Sequence, residues 1–108
     1  MSMQVFDLLG LEGFPHEQRE KNVFYQAPGF KARIIELEPG GGMPVCQMAH
    51  IVVFVVLKGQ VTVTVDSGSA VLTEGQCLVT DPATISMHSE DGARLVGIQI
   101  ASKTGETR

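Results

Sequence analysis

The chain has 108 residues, 44% of them apolar, with 12 acidic against 8 basic side chains and a formal charge of −4. That length fits one domain with its own core, and the apolar share argues against disorder. No cluster of Lys or Arg is present to displace counterions from a phosphate backbone, so no nucleic-acid partner is expected. The longest apolar run, Ile51 to Leu57, is far short of the ~20 residues that span a bilayer, so no membrane partner is expected either. The first residues lack a basic stretch followed by an apolar one, so no signal peptide is read. Two cysteines, Cys46 and Cys77, do not make a disulfide framework, and a cytoplasmic chain with reduced thiols is the simplest expectation.

In chain order, helical periodicity is hinted at only in Phe6 to Leu11. His16 falls in the polar run Pro15 to Lys21 and is expected to be solvated. Asn22 to Gln26 reads as a strand, and Ala27-Pro28-Gly29 as a turn. Phe30 to Glu38 is a second strand whose apolar parity shifts between Ile34 and Ile35, which suggests a bulge. Pro39 to Gly42 ends it. Val45 to Leu57 is strand-like, with Lys58-Gly59 as a turn. Val61, Val63 and Val65 then alternate with Thr62 and Thr64, as in a strand with one wet face. Asp66 to Ser69 is a hairpin turn leading to Ala70 to Thr73. Glu74-Gly75 turns into Gln76 to Thr80, which carries Cys77, expected to be buried and inert. Asp81-Pro82 interrupts, Ile85 to Ser89 is short, and Glu90 to Gly92 turns into Arg94 to Ile100. The stretch 1–101 therefore forms one domain, and 102–108 a polar, frayed tail.

Many short strands at regular spacing indicate an all-β, antiparallel sandwich or barrel. Ile51 to Leu57 is apolar at both parities, so it needs cover on both sides. One side faces the interior. The other is expected to meet a second copy, giving a homodimer, with cover by the N-terminal segment as the alternative.

Gly40, Cys46, Met48, Val52 and Gly59, followed by Gly75, Pro82, Thr84 and Met87, are spaced much as in the two motifs of the cupin family, and the stretch 38–100 resembles that family of RmlC-like jelly rolls built as a double-stranded β-helix. That family's first motif is Gly, five residues, His, one residue, His, three or four residues, Glu, six residues, Gly. Here the same spacing gives Gly40, Cys46, Met48, Val52 and Gly59. The second motif is Gly, five residues, Pro, one residue, Gly, two residues, His. Here Gly75 is followed by Pro82 one residue late, Thr84 replaces the glycine, and Met87 takes the His position, with His88 beside it. Starting the first motif at Gly42 instead would pair Met48 with His50, but then Gly59 comes two residues early. The resemblance implies a jelly-roll barrel. In typical members it also implies a metal held by the four ligand positions, none of which keeps its residue here.

Val52 cannot ligate, so the common imidazole–carboxylate iron centre does not follow. One reading makes Cys46, Met48 and Met87 packing atoms in a barrel that lost its metal, since Met fills irregular gaps and free Cys packs as a small hydrophobe. Its pocket would be lined by Cys46, Met48, Val52, Phe54, Val63 and Met87, and no cofactor is expected. The other makes Cys46, Met48, His50, Met87 and His88 candidate ligands for a soft ion such as copper, or for nickel, zinc or iron. Cys46 would be nucleophilic only with its thiolate stabilised by His50 or His88. No acidic residue is placed to orient either, so no catalytic residue is assigned. The expected function is a non-catalytic small-molecule-binding or sensory barrel with a degenerate metal site. A metal-dependent enzyme or soft-metal-binding protein is the alternative.

Overall fold

A computed structural model describes residues 3–101; the tail expected at 102–108 lies outside the described residues. A 3₁₀ turn over His16–Asn22 leads into eight strands: β1 (Val23–Ala27), β2 (Phe30–Leu37), β3 (Gly42–Met48), β4 (Ile51–Val65), β5 (Gly68–Thr73), β6 (Cys77–Thr80), β7 (Ala83–His88) and β8 (Ala93–Ile100). Every pairing is antiparallel. The sheet runs β1-β2-β8-β4-β7-β3, with β5 and β6 also on β4, and it curls into a jelly-roll barrel.

The fold turns on β4. Its first half pairs with β6 and β8, its second half with β5 and β7. Lys58-Gly59 is therefore not a turn, as the sequence suggests. The strand continues through it with a register shift against β8 between Val56 and Lys58. Gly59 has φ +83°, and a Cβ there would stand 2.3 Å from the Gly92 carbonyl oxygen. Only glycine supplies both the left-handed backbone and the close approach. The shift also flips parity, so the inward residues are Val52, Phe54 and Val56 before it and Val61 and Val63 after it, all buried.

No bulge separates Ile34 from Ile35. The ladder between β2 and β8 is regular from Phe30 to Leu37, and the two isoleucines lie on opposite faces. Ile35 packs on the core with Leu37 and Leu95, whereas Ala32, Ile34 and Val96 are buried on the outer face. Both parities are apolar because both faces are covered. The N-terminal segment lies over the outer face at Arg94, whose guanidinium donates to the carbonyls of Leu8 and Leu11 and pairs with Glu36. Further along that face, Ile51, Val53, Val55 and Leu57 are half-buried within the single chain.

Cys77 is exposed, contrary to expectation. It faces outward opposite Val55 on β6, a four-residue strand, and Val79 beside it is 65% exposed. Cys46 and Cys77 are both free thiols.

Candidate functional site at the barrel mouth

The strand register decides what enters the barrel. On β2, Arg33 shares the inward parity of Ile35 and Leu37. Its cross-strand partner on β8 is Gly97, over which Ile35 and the Phe54 ring pack closely, 3.0 and 3.4 Å from where a Cβ would stand. Gln99, two residues on, also points inward, opposite Val52. On β3 the shift between Met43 and Cys46 changes the inward set from Met43 to Cys46 and Met48. Pro44 sits within that shift, consistent with proline being confined to edges and bulges.

These side chains enclose a cavity of about 60 Å³. Met43, Met48, Val52, Phe54, Ile35 and Leu37 form its apolar wall, and Arg33 and Gln99 its polar one. The Arg33 Nη2 donates to Gln99 Oε1 at 3.5 Å, and Gln99 Nε2 points to Met48 Sδ at 3.6 Å. Phe14, His16, Arg19 and Asn22 border the opening. That border is fixed by Asn22, which is buried. Its Oδ1 accepts from the Phe14 N–H at 2.8 Å, and its Nδ2 donates to the Phe14 carbonyl at 2.9 Å. Lys21 stacks over the Phe14 ring, and Arg19 donates to the His16 carbonyl.

The mouth is electrostatically mixed. Burial pushes the Arg33 guanidinium below its ordinary value, Glu20 opposes this, Arg19 adds to it, and Cys46 opposes it. His16 is also held below its ordinary value, first by burial, then by Arg19, with Glu17 opposing and Arg33 contributing. His16 is half-buried at the cavity border, less exposed than its polar surroundings suggest.

Of the side chains the sequence singles out, Met48, Val52 and Phe54 line this cavity. Val63 and Met87 are buried in the core beside it. Cys46 is half-buried opposite Ile85. His50 lies in the bend after β3, and His88 ends β7 exposed, so Met87 is the inward member of that pair. The positions where the resemblance would place metal ligands hold a thiol, two thioethers and a valine. Among the described residues no three His, Cys, Asp or Glu side chains are grouped to hold an ion. The residues present do not fit a metal that needs imidazole and carboxylate donors.

Arg33, Gln99 and Met43 belong to neither motif and carry no functional signal of their own in the sequence. The inward direction of Arg33 follows from its shared parity with Ile35 and Leu37. That of Met43 depends on the register shift that Pro44 marks.

No family model and no curated protein matches the chain. Solved structures do. The TT1209 protein of Thermus thermophilus aligns with a TM-score of 0.78 at 24% identity, covering 93% of this chain and 100% of that one. A Streptococcus pyogenes protein of unknown function, SPY1581, aligns at 0.75 and 14% identity, covering 96% and 92%. A cupin superfamily protein of Desulfitobacterium hafniense aligns at 0.70 and 11% identity, covering 74% of each chain. At these identities the shared property is the fold, and the chain has the jelly-roll fold of cupin proteins.

Proposed function

We propose that this cupin-fold chain is a non-catalytic, cytoplasmic barrel that binds or senses a small molecule. The observation that carries this reading is the cavity at the barrel mouth, with an apolar wall and two convergent polar side chains. That is the usual composition of a ligand site. Reaction chemistry has less support. Among the lining residues the one carboxylate, Glu36, is held by Arg94 on the outer face, and the one imidazole, His16, stands at the border with no carboxylate within ion-pair distance among the described residues. Neither forms the nucleophile–base or acid–base pair that catalysis uses.

A fragment screen by ligand-observed NMR, followed on the Met48 and Val52 methyl resonances, tests the reading. Binders that shift those methyls and raise the melting temperature are expected. A screen in which no fragment perturbs either methyl sinks it.

A further inference from the structure

Two arginines are drawn into this sheet, and the fold treats them differently. Arg94 on the outer face is satisfied by the Leu8 and Leu11 carbonyls and by Glu36. Arg33 points into the cavity and has one side-chain partner among the described residues, the neutral amide oxygen of Gln99 at 3.5 Å. No carboxylate lies within ion-pair distance of it among those residues; the one ion pair there is Arg94 with Glu36. A guanidinium carries five N–H donors in a fixed fork, and leaving them unused in a half-buried site is costly.

We propose that the barrel mouth binds a short-chain organic carboxylate, its carboxylate forked on Arg33 and its apolar body against Met48, Val52 and Phe54. This rests on reading the cavity as a ligand site. The planar fork of Arg33 matches a carboxylate with two parallel hydrogen bonds. The wall facing it is sulfur and hydrocarbon, which suits an alkyl body and not a second charged group. About 60 Å³ corresponds to roughly four to six water-sized positions, so the ligand is small. Arg19 at the border adds positive character to the entrance, while Glu17 and Glu20 partly offset it. A phosphate would bring more acceptor oxygens than this one fork and the Gln99 amide can satisfy.

Isothermal titration of the full chain with butyrate, butyramide and inorganic phosphate tests this, in the wild type and in Arg33→Gln and Arg33→Lys. Butyrate is expected to bind about tenfold or more tightly than its neutral isostere. Arg33→Gln should erase that preference, and Arg33→Lys should retain part of it. The wild-type comparison decides the matter even if a variant fails to fold. Equal affinity for butyrate and butyramide overturns the carboxylate proposal and leaves the cavity as a neutral-ligand site. Phosphate binding as tightly as butyrate also overturns it. Binding of none of the three overturns the proposal, and an empty fragment screen alongside would overturn the ligand-site reading with it.

Discussion

Glu36 of β2 and Arg94 of β8 stand opposite each other in register and pair on the outer face, where Arg94 also holds the carbonyls of Leu8 and Leu11. One side chain thus fastens the N-terminal segment to a sheet more than 80 residues away in sequence. Arg94 is 9% exposed, so losing it removes charge-assisted hydrogen bonds to the part-buried Leu8 and Leu11 carbonyls. Arg94→Met is expected to cost about 2–4 kcal/mol in urea unfolding. It should also open the segment around Leu8 to limited proteolysis. An unchanged midpoint and cleavage pattern would show that other contacts hold the segment.

Two glycines with similar backbone angles should respond very differently to alanine. Gly59 (φ +83°) meets the Gly92 carbonyl oxygen, whereas at Gly75 (φ +85°) an added Cβ would find nothing within 4 Å. Gly75→Ala should cost only the left-handed backbone penalty, about 1–2 kcal/mol. Gly59→Ala adds a backbone clash and should cost about 3 kcal/mol or more. Equal melting temperatures for the two variants would contradict the corner geometry of β4.

Phe54 is 2% exposed and serves both the core and the cavity wall. Phe54→Ala should lower stability by about 3–5 kcal/mol. It should also enlarge the cavity, so that bulkier apolar fragments bind relative to wild type. A variant that loses stability without any change in fragment size preference would place Phe54 outside the binding wall.

The pH response of His16 follows from the sign of its shift. Its folded value is depressed, so the folded state disfavours the protonated ring. The associated stability is present above the unfolded value of 6.5 and is lost as pH falls through the folded one. An NMR titration should give a midpoint below 6.5. Arg19→Gln should raise that midpoint more than Arg33→Gln, because Arg19 is the larger cause. A midpoint at or above 6.5 in the wild type would remove the cationic mouth from the account.

Val52 stands where the family resemblance calls for a carboxylate ligand, and it is 1% exposed. Protein purified without chelator is therefore expected to carry transition metal well below one equivalent per chain. Near-stoichiometric copper by elemental analysis, lowered by Cys46→Ser, would instead establish a sulfur site.

Much of the strand pattern is legible in the sequence because period-2 alternation reports a half-buried face directly. Val61, Val63 and Val65 with Thr62 and Thr64 are the clearest case. The reading fails where alternation is interrupted for reasons that lie elsewhere in the chain. Lys58-Gly59 looks like a turn because glycine is common in turns, yet the glycine is required by Gly92, over thirty residues later. Ile34 and Ile35 look like a bulge because the segment covering the outer face carries no signal of its own. Cys77 looks buried because it lies beside Leu78 and Val79, but a short strand with β4 as its one partner leaves its outer side open. The site follows the same logic. Val52 and Phe54 are recoverable from parity, whereas the exposed His88 and the inward Met87 are separated only by a register that pairing across β4 and β3 fixes.

The place of β8 between β2 and β4 has a consequence for how the molecule is made. A strand synthesised after all the others must be inserted between two that are already present. Until it emerges, β2 and the first half of β4 each present an unpaired edge, and Arg33 has neither Gly97 nor Gln99 across from it. The barrel can therefore close only after β8 has left the ribosome, and its nascent form is the state most exposed to edge-to-edge aggregation.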